Sequence, residues 1–213
     1  MATVQQKSSG QRFMIRNADW RTYQSLLAAI GDRPVRITYD KGALELMSPS
    51  DVHERLKKLI DRMLVTLCEE LEIAIRSQGS MTFSRRELDR GLEPDECYYI
   101  QHEAQLRGRD EIDLDVDPPP DLAIEIDISR SSLNRMQIYD SLGVPEVWQF
   151  DGDSLRVHVL EDEGGYAEVN ESLAFPMVPI AALKQHLARR NQTDEISWIR
   201  ELRVWIRKTL RNT

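Results

Sequence analysis

Residues 118–129 read PPPDLAIEIDIS, and this stretch decides the fold because it predicts a buried strand that carries acids. The prolines cannot continue a hydrogen-bonded ladder, so the strand begins near Asp121. The run after them is rich in β-branched residues and about eight residues long, which is typical of a buried strand. Side chains alternate along a strand. One face is therefore apolar, with Leu122, Ile124, Ile126 and Ile128, and the other carries Asp121, Ala123, Glu125 and Asp127.

Carboxylates on one face of an apolar strand are costly unless they are solvated, paired or bound to a metal. One interpretation is a strand with a solvated face, and the other is a metal site. This stretch alone leaves both open.

The residues after the strand predict a crossover unit. Ser131 or Ser132 can cap a helix over 133–142, which Gly143 ends. Residues 144–150 then form a second strand. A strand, a short helix and a strand with tight connections predict a parallel, right-handed unit.

The rest of the chain predicts one α/β domain over 17–213, after a flexible N-terminal tail over 1–16. An N-terminal β-hairpin is expected around Lys41-Gly42, and a second hairpin around Gly164-Gly165. Helices are expected over 20–30, from Ser50 to Leu71, over 181–190 and over 195–210, and short strands over 73–76, 81–85 and 97–100. Residues 91–95 are expected to form a turn.

Composition narrows the function. The 213 residues carry a net charge of −8, which argues against a general nucleic-acid binder. No apolar run could span a membrane, and the N-terminus lacks the apolar core of a signal peptide. The two cysteines have no metal-type spacing, so buried thiols in the cytoplasm are expected.

The remaining candidates for chemistry are carboxylates on predicted strands, since phosphate-binding loops, a nucleophile elbow and clustered histidines are absent from the sequence. Oxygen-only ligands suit a hard cation such as Mg²⁺ or Mn²⁺. Such a cation can polarise a phosphodiester and activate water. The strand carboxylates are Glu45, Asp95, Asp121, Glu125 and Asp127.

These residues carry a resemblance to a known family. Pro94-Asp95, followed by Glu125-Ile126-Asp127 in a buried strand, resembles the PD-(D/E)XK nuclease pattern. The surrounding segments resemble the Uma-two family of that superfamily, described as restriction endonucleases. These segments are Glu45-Leu46-Met47-Ser48-Pro49-Ser50, His53-Glu54-Arg55, Pro120 to Ile126, and Leu142-Gly143-Val144-Pro145-Glu146-Val147-Trp148.

The resemblance implies a restriction-endonuclease-like core, with a central mixed β-sheet flanked by helices. It implies that Asp95 and Glu125 bind the metal. The usual Lys position holds Asp127, and the alternative Lys position, four residues before Tyr139, holds Arg135. Arg stays charged and cannot act as a base near neutral pH, although it can stabilise phosphate charge.

The leading hypothesis is a Mg²⁺- or Mn²⁺-dependent endonuclease that hydrolyses DNA. Asp95 and Glu125 would hold the cation and Arg135 would contact phosphate, with Glu45 and Asp127 as further ligands. The alternative is a catalytically degenerate nuclease fold that serves as a binding or assembly module. A purely structural sheet with a solvated face is the third interpretation.

A homodimer is also expected. Cutting both strands of a duplex needs two sites, which a two-fold pair supplies. The last helix adds a second reason, because its apolar residues must be buried on its own domain or on another chain. These residues are Ile196, Trp198, Ile199, Leu202, Trp205, Ile206 and Leu210.

Overall fold

The computed structural model describes residues 10–129 and 131–211, and within them the chain forms two β-sheets and six α-helices. The strands are β1 (Gln11–Arg16), β2 (Arg36–Asp40), β3 (Ala43–Ser48), β4 (Arg76–Ser77), β5 (Phe83–Arg85), β6 (Arg90–Leu92), β7 (Glu96–Tyr99), β8 (Leu122–Ile126), β9 (Glu146–Phe150), β10 (Leu155–Leu160) and β11 (Tyr166–Val169). The helices are α1 (Trp20–Ile30), α2 (Asp51–Leu71), α3 (Glu103–Leu106), α4 (Arg135–Leu142), α5 (Ile180–Ala188) and α6 (Glu195–Thr209).

The central mixed sheet is the six-stranded one, in the order β11-β10-β9-β8-β7-β4. Its β8 and β9 run parallel, and its other neighbours are antiparallel. The second sheet is antiparallel, in the order β1-β3-β2-β6-β5, and includes the predicted N-terminal hairpin. The flanking helices and the mixed sheet agree with the sequence prediction.

Strand β8 lies inside the mixed sheet, and all five of its residues are buried. Leu122, Ile124 and Ile126 pack into the core beneath α2, α5 and α6, as the alternating pattern predicted. Ala123 faces the other side, where it packs with Ile138 of α4. The acidic face of β8 therefore points toward α4 and the second sheet, away from the main core.

The crossover unit is present, with a later helix start than expected. Ala123 pairs with Val147 in the parallel register, and Gly143 ends α4 at a positive φ of 72°. Asn134 caps the helix in place of Ser131 or Ser132. Those two serines are held by Glu45, which accepts from the Ser131 hydroxyl and the Ser132 backbone N–H.

Residues 11–16, placed in the flexible tail by the sequence prediction, form β1. They pair with β3 along its whole length, from Gln11 opposite Ser48 to Arg16 opposite Ala43. The Arg12 guanidinium adds an ion pair with Glu45 of β3, at 2.6 Å. Residues 1–9 of the predicted tail lie outside the described part of the chain.

The predicted turn over 91–95 also differs, because Gly91 and Leu92 pair with β5 as part of β6.

Helix α6 buries its apolar stripe on its own domain. Trp198, Ile199, Leu202 and Ile206 are buried in the core that α2 also lines. The stripe therefore gives no support to the predicted dimer, although Ile196 stays 55% exposed. None of the described helices combines the length and apolarity needed to cross a bilayer.

Glu70 joins α2 to α6 and makes their packing sensitive to acid. It is buried, and it accepts hydrogen bonds from Arg207 at 2.6 and 2.8 Å and from Arg203 at 2.8 Å. The pKa of Glu70 is lowered from 4.5 to about 2, chiefly by the hydrogen bonds from Arg207. Burial opposes this shift, and Arg203 adds to it. The ionised carboxylate therefore stabilises the folded chain.

Glu70→Gln is expected to lower the free energy of unfolding by about 1–2 kcal/mol at pH 7, since solvent screens the half-exposed arginines. The contribution is complete above the ordinary pKa of 4.5 and is lost as the pH falls toward 2. Urea unfolding from pH 7 to pH 3 should show the two proteins converging. Glu69→Gln is the control, because Glu69 also pairs with Arg203 but is more exposed, so its substitution should lower the free energy of unfolding less. A difference that stays constant down to pH 3 would contradict this assignment.

Candidate active site

Asp95 and Glu125 are brought together by the pairing of β7 with β8. Cys97 lies opposite Ala123, and the Asp95 backbone N–H donates to the Ile124 carbonyl at 3.1 Å. Asp95 directly precedes β7, and its Oδ2 accepts from the backbone N–H of Ile126, the residue after Glu125. The two carboxylates therefore lie on the same side of the mixed sheet.

Both carboxylates line one cavity of about 490 Å³ between the mixed sheet, α4 and the second sheet. Asp127 and Arg135 line it as well. Its remaining described lining is Arg12, Met47, Ile126, Ser131, Leu133, Asn134, Met136, Gln149, Asp151 and Arg156.

Asp95 is held in place through one oxygen. Its Oδ2 accepts from the Ile126 backbone N–H at 2.7 Å and lies 3.1 Å from Nε2 of His53. His53 is itself 2% exposed, in the first turn of α2, where its backbone N–H donates to the capping Ser50. Burial alone would raise the pKa of Asp95, but the hydrogen bond and charge of His53, with smaller contributions from Ile126 and Arg135, lower it. Asp95 is therefore a fixed carboxylate that stays ionised at neutral pH.

Glu125 is held through one oxygen as well. Its Oε1 accepts from Arg135 at 2.6 Å and from the Tyr139 hydroxyl, one turn further along α4. Burial, together with the nearby charge of Asp95, raises the pKa of Glu125, while the Arg135 charge opposes the rise. Burial also raises the pKa of Tyr139, so its hydroxyl stays protonated and donates to the carboxylate.

Arg135 points into the cavity, as predicted, but its guanidinium is occupied. Beyond Glu125 it donates to the Thr38 hydroxyl of β2, and at 2.8 Å to the Glu93 carbonyl. Its burial would lower the pKa of the guanidinium, and the neighbouring Glu125 more than reverses this. Through its two terminal nitrogens Arg135 is therefore a charged strut between the two sheets, while its buried Nε has no partner among the described residues.

Glu45 does not join the other carboxylates in the cavity lining. It is 2% exposed, and its oxygens accept from Arg12, Ser131 and Ser132. These contacts turn Glu45 toward the segment before α4. Glu45 therefore anchors that segment, which corrects the expectation that it is a further metal ligand. Asp121 is also structural, because it accepts from the backbone N–H groups of Ile100 and His102.

Asp127 lies in the cavity lining directly after β8, where its backbone N–H donates to the Phe150 carbonyl at 2.9 Å. Among the described residues its carboxylate has no hydrogen-bond partner. It is the acid in this cavity with the fewest restraints on its side chain.

Sequence reasoning missed several residues that surround the carboxylates. Tyr139 served only as a landmark, although its i, i+4 spacing from Arg135 places both on one helix face. Gln149 of β9 and Arg156 of β10 line the cavity because the strand register puts them on the same face as Glu125. No sequence signal gave that register. For His53, in the first turn of α2, the sequence left open both a surface position and a role in the site.

The donors fit a hard cation in part. Each of Asp95 and Glu125 keeps a second oxygen that has no hydrogen bond to a described residue, and Mg²⁺ often binds through one or two carboxylates plus water. The described residues contain no group of three or more His, Cys, Asp or Glu side chains placed to hold a metal. Any cation here would take most of its ligands from water or substrate.

The sequence profile of one known family matches residues 20–189, which include all the residues that line the cavity except Arg12. That family is Uma2, described as "Putative restriction endonuclease". The chain belongs to this family. Membership agrees with the resemblance seen in the sequence and with the mixed sheet flanked by helices. The Uma2 match includes Asp95, Glu125, Asp127 and Arg135.

A solved structure that resembles this Uma2 chain is described as a putative nuclease belonging to DUF820, from Anabaena variabilis. The two share 16% sequence identity and a TM-score of 0.47, over 76% of this chain and 90% of the other. No curated protein matches the chain.

Proposed function

We propose that this protein is a metal-dependent endonuclease that hydrolyses DNA phosphodiester bonds. The observation that carries the proposal is the pair of buried carboxylates, Asp95 and Glu125, side by side in one cavity with one oxygen of each left free. Family membership supports the nuclease class.

The free oxygens of Asp95 and Glu125 would hold Mg²⁺ or Mn²⁺. When bound, the cation polarises the phosphodiester and lowers the pKa of a coordinated water. The chain's own part is to fix the ligands, because His53 and Ile126 orient Asp95 while Arg135 and Tyr139 orient Glu125. Ligands that are already oriented lose less entropy on binding.

Charge balance explains how an acidic protein can accept a phosphate here. The described lining carries three arginines against four carboxylates, a formal charge of −1. A divalent cation would bring this to +1, which attracts the DNA backbone. Because Arg135 cannot take up a proton at neutral pH, Asp127 is the group in the cavity placed to accept one from the attacking water.

Asp95→Asn is expected to weaken Mn²⁺ binding and plasmid cleavage by about 100-fold or more, since losing a ligand costs at least as much as losing a group that orients one. Calorimetry measures the binding, and nicking of supercoiled plasmid in Mg²⁺ or Mn²⁺ measures the activity. Asp162→Asn, on an exposed loop, is the matched control. Cleavage that survives Asp95→Asn would reject the assignment.

The alternative, a degenerate nuclease fold that binds without cutting, is favoured by one observation. Arg135 occupies Oε1 of Glu125, so this carboxylate offers a cation one oxygen where a free one offers two. DNA binding by the wild-type protein without cleavage in either metal would support this alternative over the endonuclease.

We also propose a homodimer and a cytoplasmic location, both as consequences of the nuclease assignment. A duplex cut needs two sites related by a two-fold axis. Light scattering tests the dimer, since a mass of 24.7 kDa at micromolar concentration would reject it and twice that mass would support it.

A further inference from the structure

The cavity contains three arginines, and two of them are already occupied by the protein. Arg12 donates to Glu45 at 2.6 Å, and to the carbonyl and hydroxyl of Ser129 at 2.8 and 3.2 Å. Arg135 is the strut between the sheets, with its terminal nitrogens on Thr38, Glu93 and Glu125. All three guanidinium nitrogens of Arg12 and both terminal nitrogens of Arg135 are thus engaged by the protein, which leaves only the buried Nε of Arg135 without a partner among the described residues.

Arg156 differs from both. Its nearest acid is Asp151, with 3.7 Å between Nη2 and Oδ2, which is too long for a hydrogen bond. No guanidinium nitrogen of Arg156 donates to a described residue, whereas in Arg135 this holds for the buried Nε alone. The side chain is 37% exposed, so the guanidinium remains open to a ligand in the cavity.

The strand register places Arg156 where a substrate phosphate would lie. Glu125 pairs with Gln149, and Gln149 pairs with Arg156, so the three side chains leave the sheet on the same face. Neighbouring strands lie about 4.8 Å apart, which puts the Arg156 backbone roughly 10 Å from that of Glu125. Both side chains line the cavity of about 490 Å³, which is large enough to hold a phosphate group between them.

We propose that Arg156 binds a backbone phosphate of the DNA substrate, the role that the sequence had suggested for Arg135. This inference rests on the proposed function. A planar guanidinium with unpaired donors matches phosphate oxygens in a bidentate manner. The loose pair with Asp151 keeps the arginine oriented in the free protein and is given up when the phosphate binds.

DNA affinity measured by fluorescence anisotropy tests the proposal, with a short fluorescein-labelled duplex and Ca²⁺ in place of Mg²⁺. Arg156→Gln is expected to weaken binding by about 10- to 100-fold, since a hydrogen bond to a charged group is lost. The slope of log affinity against log salt should fall by about 1, as for one lost phosphate contact. A purely structural role would leave that slope unchanged.

Arg200→Gln is the matched control, because Arg200 is exposed on α6 and lies outside the cavity lining. Arg156→Lys keeps the positive charge but lacks the paired donors of the guanidinium. It should therefore retain the wild-type slope of log affinity against log salt and bind the duplex with intermediate affinity. It also remains informative if Arg156→Gln lowers the melting temperature. Wild-type affinity and slope in Arg156→Gln, or an Arg156→Lys variant that binds no better than Arg156→Gln, would overturn the inference alone. A wild-type protein that neither binds nor cleaves the duplex would overturn the proposed function and this inference with it.

Discussion

Arg135→Ala is expected to lower the free energy of unfolding by about 3–5 kcal/mol, as when one partner of a buried ion pair is removed. The Arg135 side chain is 13% exposed and that of Glu125 is 9% exposed, with 2.6 Å between Nη2 of Arg135 and Oε1 of Glu125. The substitution would leave that carboxylate buried without its cation. It would also remove the contacts to Thr38 and Glu93 that join the second sheet to α4. Urea unfolding followed by circular dichroism measures the loss.

A double variant separates the cost of the unpaired charge from the cost of lost packing. Arg135→Met with Glu125→Leu removes both charges, and it should be more stable than Arg135→Met alone. Arg135→Lys keeps a charge beside Glu125 and should lose less than Arg135→Ala. A single variant as stable as the wild type would mean that the ion pair contributes nothing.

This prediction changes how activity data at Arg135 should be interpreted. The sequence hypothesis placed Arg135 on a phosphate, and with the side chain pointing inward Arg135→Ala would then reduce phosphate affinity or activity while leaving the fold intact. Because the residue joins two sheets, a loss of cleavage in Arg135→Ala would report on folding as much as on catalysis. Arg156→Gln is easier to interpret, since the Arg156 guanidinium makes no hydrogen bond to a described residue.

Trp198→Ala is expected to lower the free energy of unfolding by about 3–5 kcal/mol, the usual range for a large aromatic residue removed from a core. Trp198 is fully buried between α6 and the rest of the core, and its ring stacks on His186 at 4.5 Å between centroids. Its indole N–H donates to the His186 carbonyl at 2.9 Å. The substitution leaves a cavity and an unpaired carbonyl, and thermal or urea unfolding measures the cost.

Trp205→Ala provides a matched control on the same helix. Trp205 is only partly buried and packs at the margin of the same core, so its removal should cost clearly less. Equal effects of the two substitutions would mean that α6 buries both faces, for instance in a dimer. The pair of variants therefore also tests whether the apolar stripe of α6 is used only within the chain.

The sequence by itself determined the local features that depend on periodicity and on capping residues. The alternation in 122–128 predicted the two faces of β8. The sequence offered Asn17 or Asp19 as the cap of α1 and Thr193 or Asp194 as the cap of α6, and the aspartate caps the helix in both cases. Pro118 to Pro120 and Gly143 fixed where the crossover unit begins and where its helix ends. These signals are local because each acts through backbone groups within a few residues.

Tertiary structure alone decided which charges meet. Glu45 and Arg135 were both assigned to the chemistry from their types and positions, yet Glu45 is satisfied by Arg12 from β1, and Arg135 by Thr38 and Glu93. Arg156 comes next to the carboxylates only through the register of β8, β9 and β10. Strand register and long-range ion pairs depend on how separate elements pack. A single sequence contains no short-range pattern for them, so the cavity's free arginine became visible only in the folded chain.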